Sequence, residues 1–334
     1  MVMNSKVITV VMPVYNKGPH VSRAIKSVLD QTYMNFILLI VDDASSDDSL
    51  SEIQRFNDPR IVLLNREQPG PGGYAARNKG IQYATTNWIA FVDADDSWEN
   101  NHLEIISEMI ERSPHVGIVG TSIIIHKDND SKKVLNEYYN KYHKQISPGH
   151  IKKIDVHDFL LNPDATPYLT TAVCIKRDVL IAIDGFPAGF CRRYGDIDTF
   201  LRALLYCEYG LWSKKITATY HTDSVNMVTK NNPFESSCIK HTIVSELNSA
   251  NSKRLKEHMI YFLNRKLMYQ WIHSIKQQHK TKPLIWEILW VRVDIIVFGV
   301  SLLSLLPNKV SNIILNTGSH LISYFGLSRL INRG

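Results

Sequence analysis

The sequence lacks the marks of several common protein classes. Its four cysteines, Cys174, Cys191, Cys207 and Cys238, lie far apart. They form no CxxC pair and have no histidine at metal-finger spacing, so neither a zinc ribbon nor a disulfide scaffold is indicated and a reducing compartment fits best. The GKS/T ending of a P-loop and the GxGxxG of a dinucleotide site are both absent. There is no internal repeat and no low-complexity tract. The amino-terminal stretch holds one lysine before a short apolar run at 7–12 and then Pro13. That run is too short for the core of a signal peptide and reads as a first strand, so no export is expected. The one apolar stretch long enough to cross a bilayer, 284–306, is interrupted by Glu287, Arg292 and Asp294.

What remains is the composition of a folded protein. With 44% hydrophobic and 21% charged residues in a chain of 334, there is enough apolar material for a sizeable core and room for two domains, or one with an appendage. The charge is uneven. From Lys253 onward there are 12 Lys and Arg against 3 Asp and Glu, while the preceding 252 residues are slightly acidic, so the basic partner surface belongs to the C-terminal part.

Short apolar runs at 7–12, 36–41, 61–64, 88–92 and 117–125 alternate with helical patterns and read as strands buried on both faces. Val21, Ala24, Ile25, Val28 and Leu29 recur at helical spacing, with Pro19 suited to the first turn. Ser46 is a plausible N-cap for the next helix, whose inner face is Leu50, Ile53 and Phe56. This is the βαβα pattern of an α/β fold with a parallel sheet, whose functional residues collect where the strands end. The polar stretch after 126 has no readable signature up to about 166. A strand at 171–175 and a helix from about Asp196 to Tyr206 follow.

Polar clusters follow three strands. Asp93 and Asp95 end the fourth, and a strand period of two aims both the same way, which suits two hard oxygen ligands for Mg2+ or Mn2+. The competing reading is a solvated turn that caps a helix starting near Trp98, and Asp96 is better explained as such a cap than as a ligand. Asp42 and Asp43 end the second strand, and alternation lets only one of them face the same cleft. Pro13, Tyr15 and Asn16 follow the first, where Tyr15 either offers a ring for a base to stack on or simply packs. A Gly- and Pro-rich loop at 68–73 leads to Arg77 and Lys79, either as an anion cradle or as simple turn chemistry.

In order, PVYN, VDDASSDD, a Gly-rich segment with AARNKGI, FVDADDSW and GF…GDIDTFLRA resemble family 2 glycosyltransferases of the GT-A fold. These are inverting, nucleotide-sugar-dependent enzymes, and the resemblance covers roughly residues 6–225. It implies that Pro13, Tyr15 and Asn16 line a nucleotide pocket and that Asp43, with Asp42 as second choice, accepts the uracil N3–H. A carboxylate there favours uridine over cytidine, whose N3 carries no hydrogen. Arg77 is assigned to the nucleotide-sugar site. Asp93 and Asp95 match the family's DxD, the second holding a metal on the diphosphate and the first contacting the ribose. Asp196 matches the general base that takes the acceptor hydroxyl's proton, with Asp198 as fallback. The sequence departs from the pattern at Gly195, where many relatives have Glu. His221 falls about where relatives carry a basic residue or His near the diphosphate, and reads either as a metal ligand or phosphate contact or as a satisfied polar residue at a strand end; with it the metal set is Asp95, Asp93 and His221.

The C-terminal part reads as a membrane device. A central Arg and Asp would each cost about 2.5–3.5 kcal/mol in a spanning helix. Glu287, Asp294 and Ser301 recur every seven residues, which suggests instead one amphipathic helix in the interface, with Trp286 and Trp290 at headgroup depth. Lys253, Arg254, Lys256, Lys276, Lys280 and Lys282 would attract anionic headgroups, and Ile313, Ile314, Leu321, Ile322 and Phe325 suggest a second such helix. Ordinary core or homodimer packing is the competing reading.

The expectation is therefore an α/β chain with a GT-A domain at 1–250 and a helical, basic, membrane-associating region at 251–334. Its expected role is metal-assisted transfer, with Mn2+ or Mg2+, from a UDP-sugar to a lipid-linked oligosaccharide or polysaccharide in O-antigen or capsule assembly, on the cytoplasmic face of the plasma membrane. Nucleic acid is not expected as a partner, because no groove-reading or base-stacking motif accompanies the basic charge. The alternatives are a metal-dependent nucleotidyltransferase and a non-catalytic sugar-nucleotide-binding or membrane scaffold protein.

Overall fold

The computed structural model describes residues 7–126, 133–147, 151–225, 227, 232, 235–277, 282–290 and 293–317. The chain divides into two units, one of 1–159 with 164–231 and one of 160–163 with 232–334.

The first unit is built on one sheet. Its strands are β1 Ile8–Val14, β2 Phe36–Asp42, β3 Ile61–Asn65, β4 Trp88–Phe91, β5 Ser97–Trp98, β6 Ile118–His126, β7 Lys133–Leu135, β8 Ile151–Ile154, β9 Val173–Lys176 and β10 Gly210–His221. The order is β3-β2-β1-β4-β9-β6-β10-β5, with β7 beside β6 and β8 beside β10. From β3 to β4 the sheet is parallel, as the alternating sequence pattern requires. The short strand β9 then runs antiparallel between β4 and β6, which single-strand hydrophobicity could not disclose. The helices of this unit are α1 Gly18–Leu29, α2 Ser49–Gln54, α3 Tyr74–Tyr83, α4 His102–Arg112, α5 Glu137–Tyr142, α6 Val156–Leu160, α7 Arg177–Ala182 and α8 Gly195–Tyr206.

β1 is buried on both faces. Val10, Met12 and Val14 belong to one apolar core with Val21, Ala24, Ile25 and Val28 of α1. On the other face, a Cβ at Gly80 of α3 would lie 2.6 Å from a methyl of Val11, so that glycine lets α3 seat directly on the strand. Burying these aliphatic side chains contributes about 1.5–3 kcal/mol each, and it fixes β1 and β2 as rigid supports for the loops at their carboxyl ends.

Local expectations need correction at several points. Pro19 does lie in the first turn of α1, but α2 begins at Ser49 after an Asp48 N-cap, and Ser46 donates its backbone N–H to Asn16 Oδ1 (2.8 Å) instead. Residues 97–98 form β5, so the helix expected near Trp98 starts at His102. Between 126 and 166 the chain holds β7, α5, β8 and α6. Cys174 and Cys207 are free thiols, whereas Cys191 is disulfide-bonded, which departs from the expectation of reduced cysteines.

The second unit contains α9 Ser237–Ser249, α10 Lys253–Lys276, α11 Ile295–Leu303 and α12 Asn308–Thr317. The single amphipathic helix expected at 284–306 is not formed. A short 3-10 turn at Leu284–Trp286 is followed by non-helical residues at 287–290, and α11 starts where Asp294 accepts the N–H groups of Ile296 (3.0 Å) and Val297 (2.8 Å). Asp294 thus acts as an N-cap, and Ser301 of the supposed polar stripe is fully buried, donating to Val297 O (2.7 Å). No described helix is long and apolar enough to cross a membrane. The expected contributions of Lys280, Arg292, Leu321, Ile322 and Phe325 lie outside the described residues.

Candidate active site

The loops following β1, β2 and β4 meet at a cavity of about 360 Å3 at the carboxyl edge of the parallel strands. Pro13, Tyr15, Asp43, Arg77, Asp93, Asp95 and Asp196, separated by up to 183 positions, all line it. Asn16, Asp42 and His221 do not.

The nucleotide side is made by two loops fastened to one another. Asn16, in the left-handed region at φ 51°, takes Ser45 Oγ as acceptor for its N–H (3.0 Å) and offers Oδ1 to Ser46. The next two backbone N–H groups reach Ser49 Oγ (2.7 Å) and Asp47 Oδ2 (3.0 Å). The Asn16 side chain is therefore engaged in loop structure. Of the paired aspartates, Asp42 turns into its own loop and accepts from Ser45 N (3.2 Å), while Asp43 lines the cavity. Asp43 is ion-paired with Arg66 through Oδ1 and accepts Gly70 N–H through Oδ2 (3.0 Å). Two supports hold an almost fully buried carboxylate in one orientation, with lone pairs left on both oxygens.

Gly72 and Gly73 both adopt positive φ, 71° and 69°, a conformation that glycine tolerates without strain. This bend starts α3 and sends Arg77 back across the cavity, where it bonds Gly72 O (3.0 Å) and pairs with Asp93 Oδ1. Lys79 points elsewhere, to Asn65 O.

The carboxylates of Asp93 and Asp95 reach the cavity by a turn. The strand stops at Phe91 and the N–H of Asp96 bonds Asp93 O (3.0 Å). Each carboxylate faces a cation, Asp93 the guanidinium of Arg77 and Asp95 the ammonium of Lys17 at 2.6 Å. Burial works to raise the Asp95 carboxyl, but the charge and hydrogen bond of Lys17, with that of Ser224, outweigh it and hold the group below the usual carboxylate range. A side-chain ammonium thus lies against one of the two carboxylates, and two hard oxygen donors in one cavity have the chemistry to fit a divalent ion. Among the described residues no three His, Cys, Asp or Glu side chains converge on a metal position, so diphosphate oxygens and water would have to complete the shell. His221 ends β10, gives its backbone N–H to Asp96 Oδ1 (3.1 Å) and bonds Ser97 Oγ through Nε2 (2.9 Å). Asp96 therefore serves as a partner for β10.

Asp196 is the second residue of α8, reached through Tyr194 at φ 63°. Burial raises its carboxyl, against the opposing pull of the Ile197 N–H and Arg77. A carboxylate with raised basicity at the cavity wall is equipped to accept a proton. Asp198 is fully buried in an ion pair with Arg202 (2.8 Å), so it does not share that wall. Gly195 has no room for a side chain, because a Cβ there would lie 2.7 Å from Tyr74 Cζ.

Lys17, Tyr74, Thr170, Thr171, Arg193, Tyr194, Tyr220 and Met227 also line the cavity and were not singled out from sequence. Lys17 follows the PVYN run directly and was the most readable of them. The others come from segments whose spacing carries no pattern.

The family model for glycosyl transferase family 2 matches residues 9–169. Residues 9–169 thus belong to this family. The family 2 match ends before Asp196, so the model does not reach α8. Among curated relatives, the Escherichia coli protein WfgD, a UDP-Glc:alpha-D-GlcNAc-diphosphoundecaprenol beta-1,3-glucosyltransferase, is 35% identical over half of this chain and 66% of its own length. TuaG of Bacillus subtilis, a putative teichuronic acid biosynthesis glycosyltransferase, is 34% identical over 35% of this chain and 47% of its own. The matched region thus spans less than two thirds of either relative. The family 2 domain has the GT-A architecture: S. aureus TarS 1-349, solved with UDP-GlcNAc, superposes with a TM-score of 0.65 at 15% identity, covering 92% of this chain and 88% of TarS. The Pyrobaculum calidifontis mannosyltransferase PcManGT, solved with GDP-Man and Mn2+, gives 0.59 at 16% identity, covering 97% and 83%.

Proposed function

We propose that this chain is an inverting glycosyltransferase that moves a sugar from a UDP-sugar to a lipid-linked oligosaccharide or polysaccharide acceptor. The observation that carries the reading is the convergence of Asp43, Asp93, Asp95 and Asp196 on one cavity at the carboxyl ends of parallel strands. The UDP-sugar and the lipid-linked acceptor are drawn from what TarS was solved with and what WfgD is named for.

In this reading Asp43, oriented by Arg66 and Gly70, accepts the uracil N3–H, and Tyr15 and Pro13 flank the base. Asp95 and Asp93 would hold Mn2+ or Mg2+, which when bound neutralises the charge of the leaving diphosphate. Arg77 orients Asp93 through their ion pair. Asp196 takes the proton of the acceptor hydroxyl as that oxygen attacks C1 of the sugar. The bond from C1 to the phosphate oxygen breaks on the opposite side, and UDP leaves with inversion. One displacement needs one base.

The second unit would bring the enzyme to its acceptor by binding the cytoplasmic face of the membrane peripherally. Trp286 (77% exposed), Trp290, Phe298, Leu302, Leu305 and Leu306 present apolar surface, and Lys253, Arg254 and Lys256 supply positive charge on the same unit.

The deciding experiment measures UDP release from a panel of UDP-sugars with and without Mn2+ or Mg2+, beside Asp95→Asn. Slow hydrolysis of one donor, lost without metal and in the variant, is the expected result. Pyrophosphate release from a nucleoside triphosphate would replace this reading with nucleotidyl transfer, and UDP binding without turnover of any donor or acceptor would favour a scaffold.

A further inference from the structure

Lys17 spends its whole hydrogen-bonding capacity inside the cavity. Its backbone is fixed by Ser49 at the entrance to α1, and its Nζ donates to Asp95 Oδ2 (2.6 Å), Ser224 Oγ (2.7 Å) and Val225 O (2.7 Å). An ammonium has three hydrogens, so all are committed. Ser224 Oγ in turn donates to the same Asp95 oxygen (2.5 Å). The side chains of Lys17 and Asp95 are only 13% and 14% exposed. Shielding of this degree distinguishes the pair from a solvated surface ion pair, whose contribution is small.

We propose that Lys17 is a built-in competitor of the divalent cation at Asp95. The inference rests on the reading of Asp95 as a cation ligand and adds what Lys17 does there. With no cation present, the ammonium neutralises Asp95 and keeps its carboxylate oriented. A divalent cation that takes Asp95 Oδ2 must displace Lys17, which retains Ser224 Oγ and Val225 O as partners, and one that takes Oδ1 meets the repulsion of the ammonium on the same carboxylate. Metal alone therefore binds weakly, and metal with a nucleoside diphosphate binds better, because the phosphates add both ligands and negative charge beside the displaced ammonium. Lys17 is a positioning residue in this scheme, and its effect is read in cation affinity.

The test is a titration of the purified full chain with Mn2+, counting free ion by electron paramagnetic resonance, with no sugar donor present. Lys17→Met is expected to bind Mn2+ about tenfold more tightly than the wild type, since a positive charge beside the ligand is removed. Lys17→Arg should stay near the wild type, and Asp95→Asn should lose binding. If Asp95→Asn loses binding while Lys17→Met is unchanged or weaker, the competition is overturned and Asp95 stands as ligand. If Asp95→Asn binds like the wild type, the cation reading of Asp95 falls and the competition with it. Should Lys17→Met fail to fold, acylation of Lys17 in the wild type, read by mass spectrometry, decides the matter. It should rise when Mn2+ and UDP are added together, and an unchanged yield overturns the proposal.

Discussion

The backbone N–H of Gly195 donates to the hydroxyl of Tyr74 over 2.9 Å, and the ring of that tyrosine fills the space where a side chain at 195 would begin. Pro187 closes the other side, 2.8 Å from the same point. The glycine expected to depart from many relatives at this position is thus matched by a tyrosine at the head of α3. Gly195→Ala should destabilise the fold by about 1–3 kcal/mol through overpacking, measured by urea denaturation. Tyr74→Phe should lose about 1–2 kcal/mol by leaving the buried N–H without an acceptor. The pair Tyr74→Ala and Gly195→Ala should fall short of the sum of the single losses, because the ring that clashes is gone.

Asp196→Asn should lower kcat by about 100- to 10,000-fold, while UDP affinity, followed by calorimetry, stays within about twofold, since by the proposed scheme Asp196 meets the acceptor and not the nucleotide. Burial raises its carboxyl above the ordinary value, and a base acts only when deprotonated. The wild-type rate should therefore climb with pH through a value above that of a free aspartate, and the residual rate of the variant should lack that limb.

Asp43→Asn should weaken UDP binding about 10- to 100-fold, the range for loss of a charged acceptor. It should also narrow the preference for UDP over CDP, because an amide can offer a donor to the cytosine N3 as well as an acceptor to uracil. Competition titrations of the two diphosphates give both numbers.

His102 is fully buried against Trp98, with ring centroids 4.1 Å apart, and its Nδ1 meets Thr217 Oγ1 at 2.7 Å. Burial pushes its pKa down to about 3. The unfolded chain, with an ordinary histidine near 6.5, binds the proton first as pH falls. Stability present above about 6.5 is thus lost progressively toward 3, by up to about 1.4 kcal/mol per pH unit. His102→Gln carries no titratable group there, so its stability should change less between pH 7 and pH 5 in paired urea titrations.

The parallel half of the sheet was legible because β1, β2 and β4 are buried on both faces and their apolar runs are nearly unbroken. That pattern also located Asp43, Asp93 and Asp95 at the ends of their strands. Period alone failed at the DxD, where a turn and not a strand orients the carboxylates. It also left Asp42 and Asp43 undecided until the Ser45 N–H separated them. Lys17 and Tyr74 escaped notice because their partners, Asp95 and Gly195, lie 78 and 121 positions away. Nothing in local spacing announces such a contact. At 284–306 a heptad of polar residues suggested one helix, but Asp294 satisfies two backbone N–H groups and so begins a helix rather than riding on one.

The four backbone N–H bonds that tie 16–18 to 45–49 make two loops, distant in sequence, behave as a single stiff rim. A rim already assembled before any nucleotide arrives has little conformational freedom left to lose when one docks. Selectivity for the base should then arise from the shape and polarity of a fixed wall, and substitutions at Ser45 or Ser49, which touch no ligand in the proposed scheme, should loosen recognition as surely as changes within the wall itself.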